Sequence, residues 1–216
     1  MPVVWFIRHG ESESNANLIT THPALSALTP QGEIEAGQTA AAITTAPDLI
    51  VISPYLRAQQ TAVPTIHKYP HAPVETWPVE EFTYLHPQHY HNTTGADRWP
   101  AAKAYWEENN PVLKDDSEGE SFAELMTRVS ALQTRLAAHA AAFIAMFSHG
   151  MFLRALLLNA LINQSEPTPE LMQRYYNFLW AVHMPNCAIL KTTVDTNGRF
   201  TFSGFDTTHL TNRPPD

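Results

Sequence analysis

Short apolar runs recur along the chain at residues 3–7 (VVWFI), 48–52 (DLIVI) and 143–147 (FIAMF). Runs this short, rich in β-branched and aromatic residues, read as buried strands. Between them the pattern turns helical. Thr29, Pro30 and Glu33 form a helix start, and Pro47 ends that helix after about residue 46. Ser53 and Pro54 cap and open a second helix, which carries Arg57 in its first turn. Ser121 and Glu124 have capping-box spacing, and Phe122, Leu125, Val129, Leu132 and Leu136 then repeat at helical intervals through about residue 139. An apolar helix follows at 151–161. A last one opens at Pro167-Thr168-Pro169-Glu170, with Tyr175, Tyr176, Phe178 and Leu179 in the core. Pro70, Pro73 and Pro78 leave room for a short strand at 74–77. Asp195-Thr196-Asn197-Gly198, between apolar stretches at 186–190 and 200–202, reads as a hairpin turn.

Strands alternating with helices predict an α/β fold: a three-layer sandwich, with a mostly parallel central sheet and helices on both faces. The expectation is a single domain over 1–216. Residues 85–119 break the alternation and read as a variable cap or lid, most of whose aromatics fill a small satellite core. Residues 16–28 read as a loop, and the tail at 207–216 has no assigned role.

Composition narrows the classes. The chain has 216 residues, 44% hydrophobic and 16% charged, which fits a globular protein and not a disordered one. Its net charge of −8 argues against a general nucleic-acid binder, but leaves room for a local cluster of arginines that takes a small anion. Cys187 is the one cysteine, so no internal disulfide can form; it reads as a small buried residue in a reducing compartment. With neither a signal-peptide pattern nor an apolar run of about 18 residues, a cytoplasmic protein without membrane contact is expected. The oligomeric state stays open between monomer and dimer.

Candidate chemistry sits at the strand ends. The first strand runs into Arg8-His9-Gly10-Glu11-Ser12, with Asn15 just downstream. Arg8 offers a fork of donors suited to phosphate, His9 a nucleophile or base, and Gly10 room for close approach to the backbone. Ligands in open α/β sheets bind beyond the carboxyl ends of strands. The second strand leads to Arg57 near a helix N-terminus, a ready anion site. The third ends in Ser148-His149-Gly150 before a helix, repeating the logic of His9-Gly10. His86, His89 and His91 lie within six positions and raise the question of a metal, although nothing else nearby demands one.

The Arg-His-Gly-Glu run, the Leu28-Thr29-Pro30-Gln31-Gly32 helix start, the Ser53, Arg57, Thr61, Ala62 spacing and the Ser-His-Gly run together resemble the histidine phosphatase superfamily, the phosphoglycerate-mutase-like proteins. The resemblance runs from Val3 to about Leu190. It implies that His9 attacks phosphorus and becomes phosphohistidine, with Arg8, Arg57 and His149 holding the phosphoryl oxygens and Asn15 a further contact. By the family's pattern of an acidic residue after an apolar one, Val79-x-Glu81 makes Glu81 the general acid; adjacent Glu80 remains a competitor. The usual Gly-x-x-Glu-Gly stretch that follows is missing. Neither cofactor nor metal is implied, and the expected partner is a small phosphorylated substrate. A short cap poor in Lys and Arg points to a phosphomonoester hydrolase. A phosphomutase and a non-catalytic phosphate-binding module are the alternatives.

Overall fold

A computed structural model describes residues 2–195 and 197–211. Six strands form one sheet: β1 (Val3–Arg8), β2 (Leu49–Ile52), β3 (Val74–Thr76), β4 (Phe143–Ser148), β5 (Ile189–Val194) and β6 (Phe200–Asp206). Their order is β3-β2-β4-β1-β5-β6. β1, β4, β2 and β3 run parallel, and β5 and β6 add an antiparallel edge. The hairpin expected near 195–198 joins β5 to β6, its Thr196 lying outside the described residues.

Alternation along each parallel strand builds two cores. Val4, Phe6, Leu49, Val51, Ile144 and Met146 face one way, onto α4 (Phe122–Ala137), α5 (Gly150–Ile162) and α6 (Pro169–Ala181). Ile7, Ile50, Ala145 and Phe147 face the other, onto Ile43 and Ala62 around α1 (Pro30–Ala42) and α2 (Leu56–Lys68). Both faces are covered, as expected for parallel strands without exposed alternation. A fully buried side chain such as Phe6 or Phe147 contributes about 1.5–3 kcal/mol. Phe122, Leu125, Val129, Leu132 and Leu136 are buried, and Ser121 and Glu124 close the expected capping box.

Three expectations are corrected. Helix α1 ends at Ala42, not near residue 46, because Lys68 Nζ takes the carbonyls of Ala40, Ala41 and Ile43, and Tyr69 OH also donates to Ile43 O. The last turn of α2 therefore terminates α1 before Pro47 can. Helix α2 starts at Leu56 with Tyr55 as its N-cap, not at Ser53-Pro54: the Ser53 hydroxyl accepts from Tyr55 N, two residues on, in a local turn, and also meets His149 Nε2. The cap region contains α3 (Gly95–Glu108), whose Tyr105 and Trp106 join the main core against Phe122 and Tyr175 instead of forming a satellite. Asn17 Oδ1 accepts from Ala96 N, and Thr20 bridges to Thr93, so the cap is tied to the loop after β1.

Candidate active site

The site follows from strand register. Arg8 lies opposite Ser148, and Ile52 lies opposite Phe147. His9, Ser53 and His149, each one residue further on, therefore leave three adjacent parallel strands at the same carboxyl end. His9 N donates to Ser148 O and Ser53 N donates to Phe147 O, at 3.0 Å each, so the exits are locked side by side. The His9 and His149 rings lie 5.1 Å apart.

Backbone contacts set the state of His9. Its Nδ1 lies 2.7 Å from Gly10 O, a pairing that requires the proton on Nδ1. Nε2 accordingly carries the lone pair and accepts from Arg57 Nε at 3.0 Å. Burial, then the Arg57 and Arg8 charges, push the His9 pKa well below its usual range. The imidazole is therefore neutral at pH 7. Burial and Arg57 do the same to His149. His149 Nε2 meets Ser53 Oγ at 2.7 Å, while its Nδ1 is buried without a hydrogen-bond partner among the described residues.

Arg57 is held by more than its bond to His9. Its Nη1 donates to Pro23 O at 2.7 Å, and its guanidinium lies over the Tyr55 ring, 5.2 Å from the centroid. Thr61, one turn along α2, donates to Arg57 O and accepts from Gly10 N at 3.0 Å, joining the helix to the loop after β1. Gly10 is required there: a Cβ would stand 2.6 Å from Gly32 O.

Glu81 reaches the site from the loop after β3. Its Oε1 accepts from Met151 N at 2.9 Å and Phe152 N at 3.1 Å. Those amides belong to the first turn of α5, whose N-cap, His149, makes no side-chain cap. The carboxylate thus satisfies otherwise orphaned donors at a positive helix end. The donor atoms of His9, Glu81 and His149 all lie within 4.8 Å of one another. Glu80 faces Arg128 instead, at 3.7 Å.

A cavity of about 260 Å³ is lined by His9, Arg57 and Glu81 together with Phe82, Tyr84, Tyr90 and Trp99. Asn15 lines its rim; Oδ1 accepts from Ser12 Oγ and Asn186 Nδ2, at 3.0 Å each. Arg8 sits behind the cavity, not in its lining: Nη1 donates to Met184 O and the side chain passes over Gly150, where a Cβ would lie 3.1 Å from Arg8 Nε. The structure thus brings His9, Arg57, Glu81 and His149 together, with Asn15 at the mouth and Arg8 as a charge at the back. Asn186, which holds His9 O at 3.0 Å, had no signal in the sequence because it contacts the loop across 177 positions.

Two histidines and a carboxylate are a donor set that a divalent metal can use. Here the His9 lone pair is engaged by Arg57, and two arginine charges already bear on His9, which opposes the addition of a dication. His86, His89 and His91 do not converge: His86 Nδ1 accepts from Gln88 N, His89 pairs with Asp115 at 3.0 Å, and His91 meets Asn92.

The fold and site can be set beside known proteins. No curated protein matches the chain in sequence. Alpha-ribazole phosphatase from Shigella flexneri superimposes with a TM-score of 0.71 at 21% identity, over 95% of this chain and 96% of that one. Phosphoserine phosphatase from Entamoeba histolytica, solved as a mutant with phosphoserine, gives 0.71 at 22%, over 97% and 100%. A mycobacterial glucosyl-3-phosphoglycerate phosphatase gives 0.69 at 20%, over 94% and 97%. The family model for branch 1 of the histidine phosphatases matches residues 4–205, nearly the whole chain, and the protein therefore belongs to the histidine phosphatase superfamily.

Proposed function

We propose that the protein hydrolyses a small phosphomonoester through a phosphohistidine on His9, without a metal. The observation that carries this reading is the fixed tautomer of His9: Nδ1–H is held by Gly10 O, so Nε2 carries the lone pair, beside Arg57 and in a site that also holds Glu81 and His149. In the first step the lone pair forms the N–P bond as the ester P–O bond breaks. Glu81, as general acid, gives a proton to the leaving oxygen. Water then attacks phosphorus while the Glu81 carboxylate takes a water proton, and the N–P electrons return to Nε2. The Arg57 Nε–H hydrogen bond shifts from His9 to a phosphoryl oxygen, and with a His149 N–H contact and the charge of Arg8 it offsets the developing negative charge. Asn15 contributes a contact at the rim.

Glu81 is the acid in this reading because it lines the cavity, whereas Glu80 is directed to Arg128. Residues 85–119 act as a cap within one catalytic domain over 1–216. Hydrolysis is favoured over mutase transfer by a cap that turns only one cation, Arg98, into the cavity: Lys103 pairs with Glu107 and Lys114 with Glu124. We place the protein in the cytoplasm, a reducing compartment that suits its single buried thiol, Cys187.

The test is phosphate release from a panel of natural phosphomonoesters with EDTA present. Turnover in the wild type that disappears in His9→Ala supports the reading; no turnover across the panel refutes it.

A further inference from the structure

Arg98, on the first turn of α3, is not used by the reaction above, and its surroundings are unusual for a cation. It is only 7% exposed and lines the cavity that also holds His9 and Arg57. No carboxylate among the described residues pairs with it at ion-pair distance. Its sequence neighbour Asp97 is turned away into the capping box with Thr94. One end of the guanidinium is fully used: Nη1 donates to Thr20 Oγ1 at 3.0 Å, Thr93 O at 2.9 Å and Thr93 Oγ1 at 3.0 Å. The plane lies over the Tyr90 ring, 4.4 Å from its centroid. The Nε–Nη2 edge makes no hydrogen bond among the described residues. A guanidinium held by polar contacts on one edge, with its other edge open to the cavity, is set to take an anion there.

We propose that Arg98 determines specificity, its open edge taking a carboxylate of the substrate while the phosphoryl group lies against His9 and Arg57. The preferred substrates are then small phosphorylated carboxylic acids. Three observations select this class. The open edge presents two parallel N–H groups, the geometry that a carboxylate accepts bidentately. Arg98 is the one cation of the cap that lines the cavity, sufficient for a monoanion but meagre for a second phosphate. A cavity of about 260 Å³ admits a compact substrate. Thr20 and Thr93 hold the guanidinium in place beforehand, so little conformational entropy is lost on binding.

The inference rests on the phosphatase reading for its rate measurement but not for its binding measurement. The probes are 3-phosphoglycerate and glycerol 3-phosphate, which share the phosphorylated three-carbon chain and differ in carboxylate against hydroxymethyl. Their kcat/KM values are compared in wild type, Arg98→Gln and Arg98→Lys. Their dissociation constants are measured by calorimetry in wild type and in the same variants. The wild type is expected to favour the acid by about 10- to 100-fold. Arg98→Gln brings the ratio toward one, and Arg98→Lys falls between, because it keeps the charge and loses the fork. A purely structural Arg98 would lower both probes alike and leave the ratio unchanged, which overturns the proposal. So does equal affinity of the wild type for both probes, a result that needs no folded variant. If neither probe is turned over but the acid binds tighter and loses that advantage in Arg98→Gln, the subsite stands and the hydrolase reading is what fails.

Discussion

Replacing Glu81 with Gln separates its two roles. Oε1 caps α5 by accepting the Met151 and Phe152 amides, and a glutamine carbonyl can do the same. What goes is the ionisable oxygen and its charge. The stability cost is that of one carboxylate at a helix N-terminus, about 0.3–1 kcal/mol, so the variant folds. The catalytic cost is that of a general acid, 10²–10⁴-fold, or about 3–5 kcal/mol on the barrier. The loss should depend on the leaving group. p-Nitrophenolate leaves without a proton, so Glu81→Gln should still phosphorylate His9 from p-nitrophenyl phosphate and then stall, because water is no longer activated. Stopped-flow absorbance would show a burst of one p-nitrophenol per site followed by slow turnover. An alkyl phosphate would give no burst of released alcohol by quenched flow. Glu80→Gln, which removes the charge that faces Arg128, should keep steady-state turnover within a few-fold of wild type. Equal loss of the phosphorylation step for both esters, or a larger loss in Glu80→Gln, would refute the assignment.

Two further predictions come from the packing of the site. His9 and His149 are held neutral with pKa values below the ordinary 6.5, so the unfolded chain binds protons that the folded one refuses as pH falls below that value. Stability should therefore drop from about pH 6.5 downward, each histidine contributing at most about 1.4 kcal/mol per pH unit until its folded pKa is reached. Urea midpoints at pH 7 and 5.5 should differ less in His149→Asn than in wild type, and unchanged differences would contradict the burial argument. In α1, Gly32→Ala would drive a Cβ to 2.0 Å from Glu11 O and should destabilise by about 3 kcal/mol or more, whereas at exposed Gly37 nothing stands within 4 Å and Ala should stabilise by about 0.5–1 kcal/mol. Thermal melts of the two variants moving in the same direction would show that the contact does not bear on the fold.

The sequence was most legible where cause and consequence lie close together. The strand ends at His9 and His149, and Arg57 beside the second strand, could be read because each sits on a local strand–turn–helix unit whose pattern sets its direction. Glu81 was reachable only through the family resemblance, since a loop carboxylate has no periodicity to betray it. What escaped depended on contacts between distant segments. Ser53 reads as a helix cap by local rules, yet its hydroxyl closes a turn onto Tyr55 N and meets His149, 96 positions away, and the helix starts later. The early end of α1 is imposed by Lys68 and Tyr69 from the next helix. The sequence shows a cap poor in Lys and Arg, but only the fold shows that Arg98 lines the cavity while Lys103 and Lys114 pair with Glu107 and Glu124.

The central claim is a covalent bond between His9 Nε2 and phosphorus. The direct measurement is to mix the enzyme with a turned-over phosphomonoester, quench in alkali within milliseconds, and locate phosphoryl groups by mass spectrometry of the peptides. The account predicts an acid-labile, alkali-stable phosphoryl group on His9, formed at least as fast as steady-state turnover and absent from His9→Ala. Turnover without any phosphorylated His9, or with the label on another residue, would contradict it.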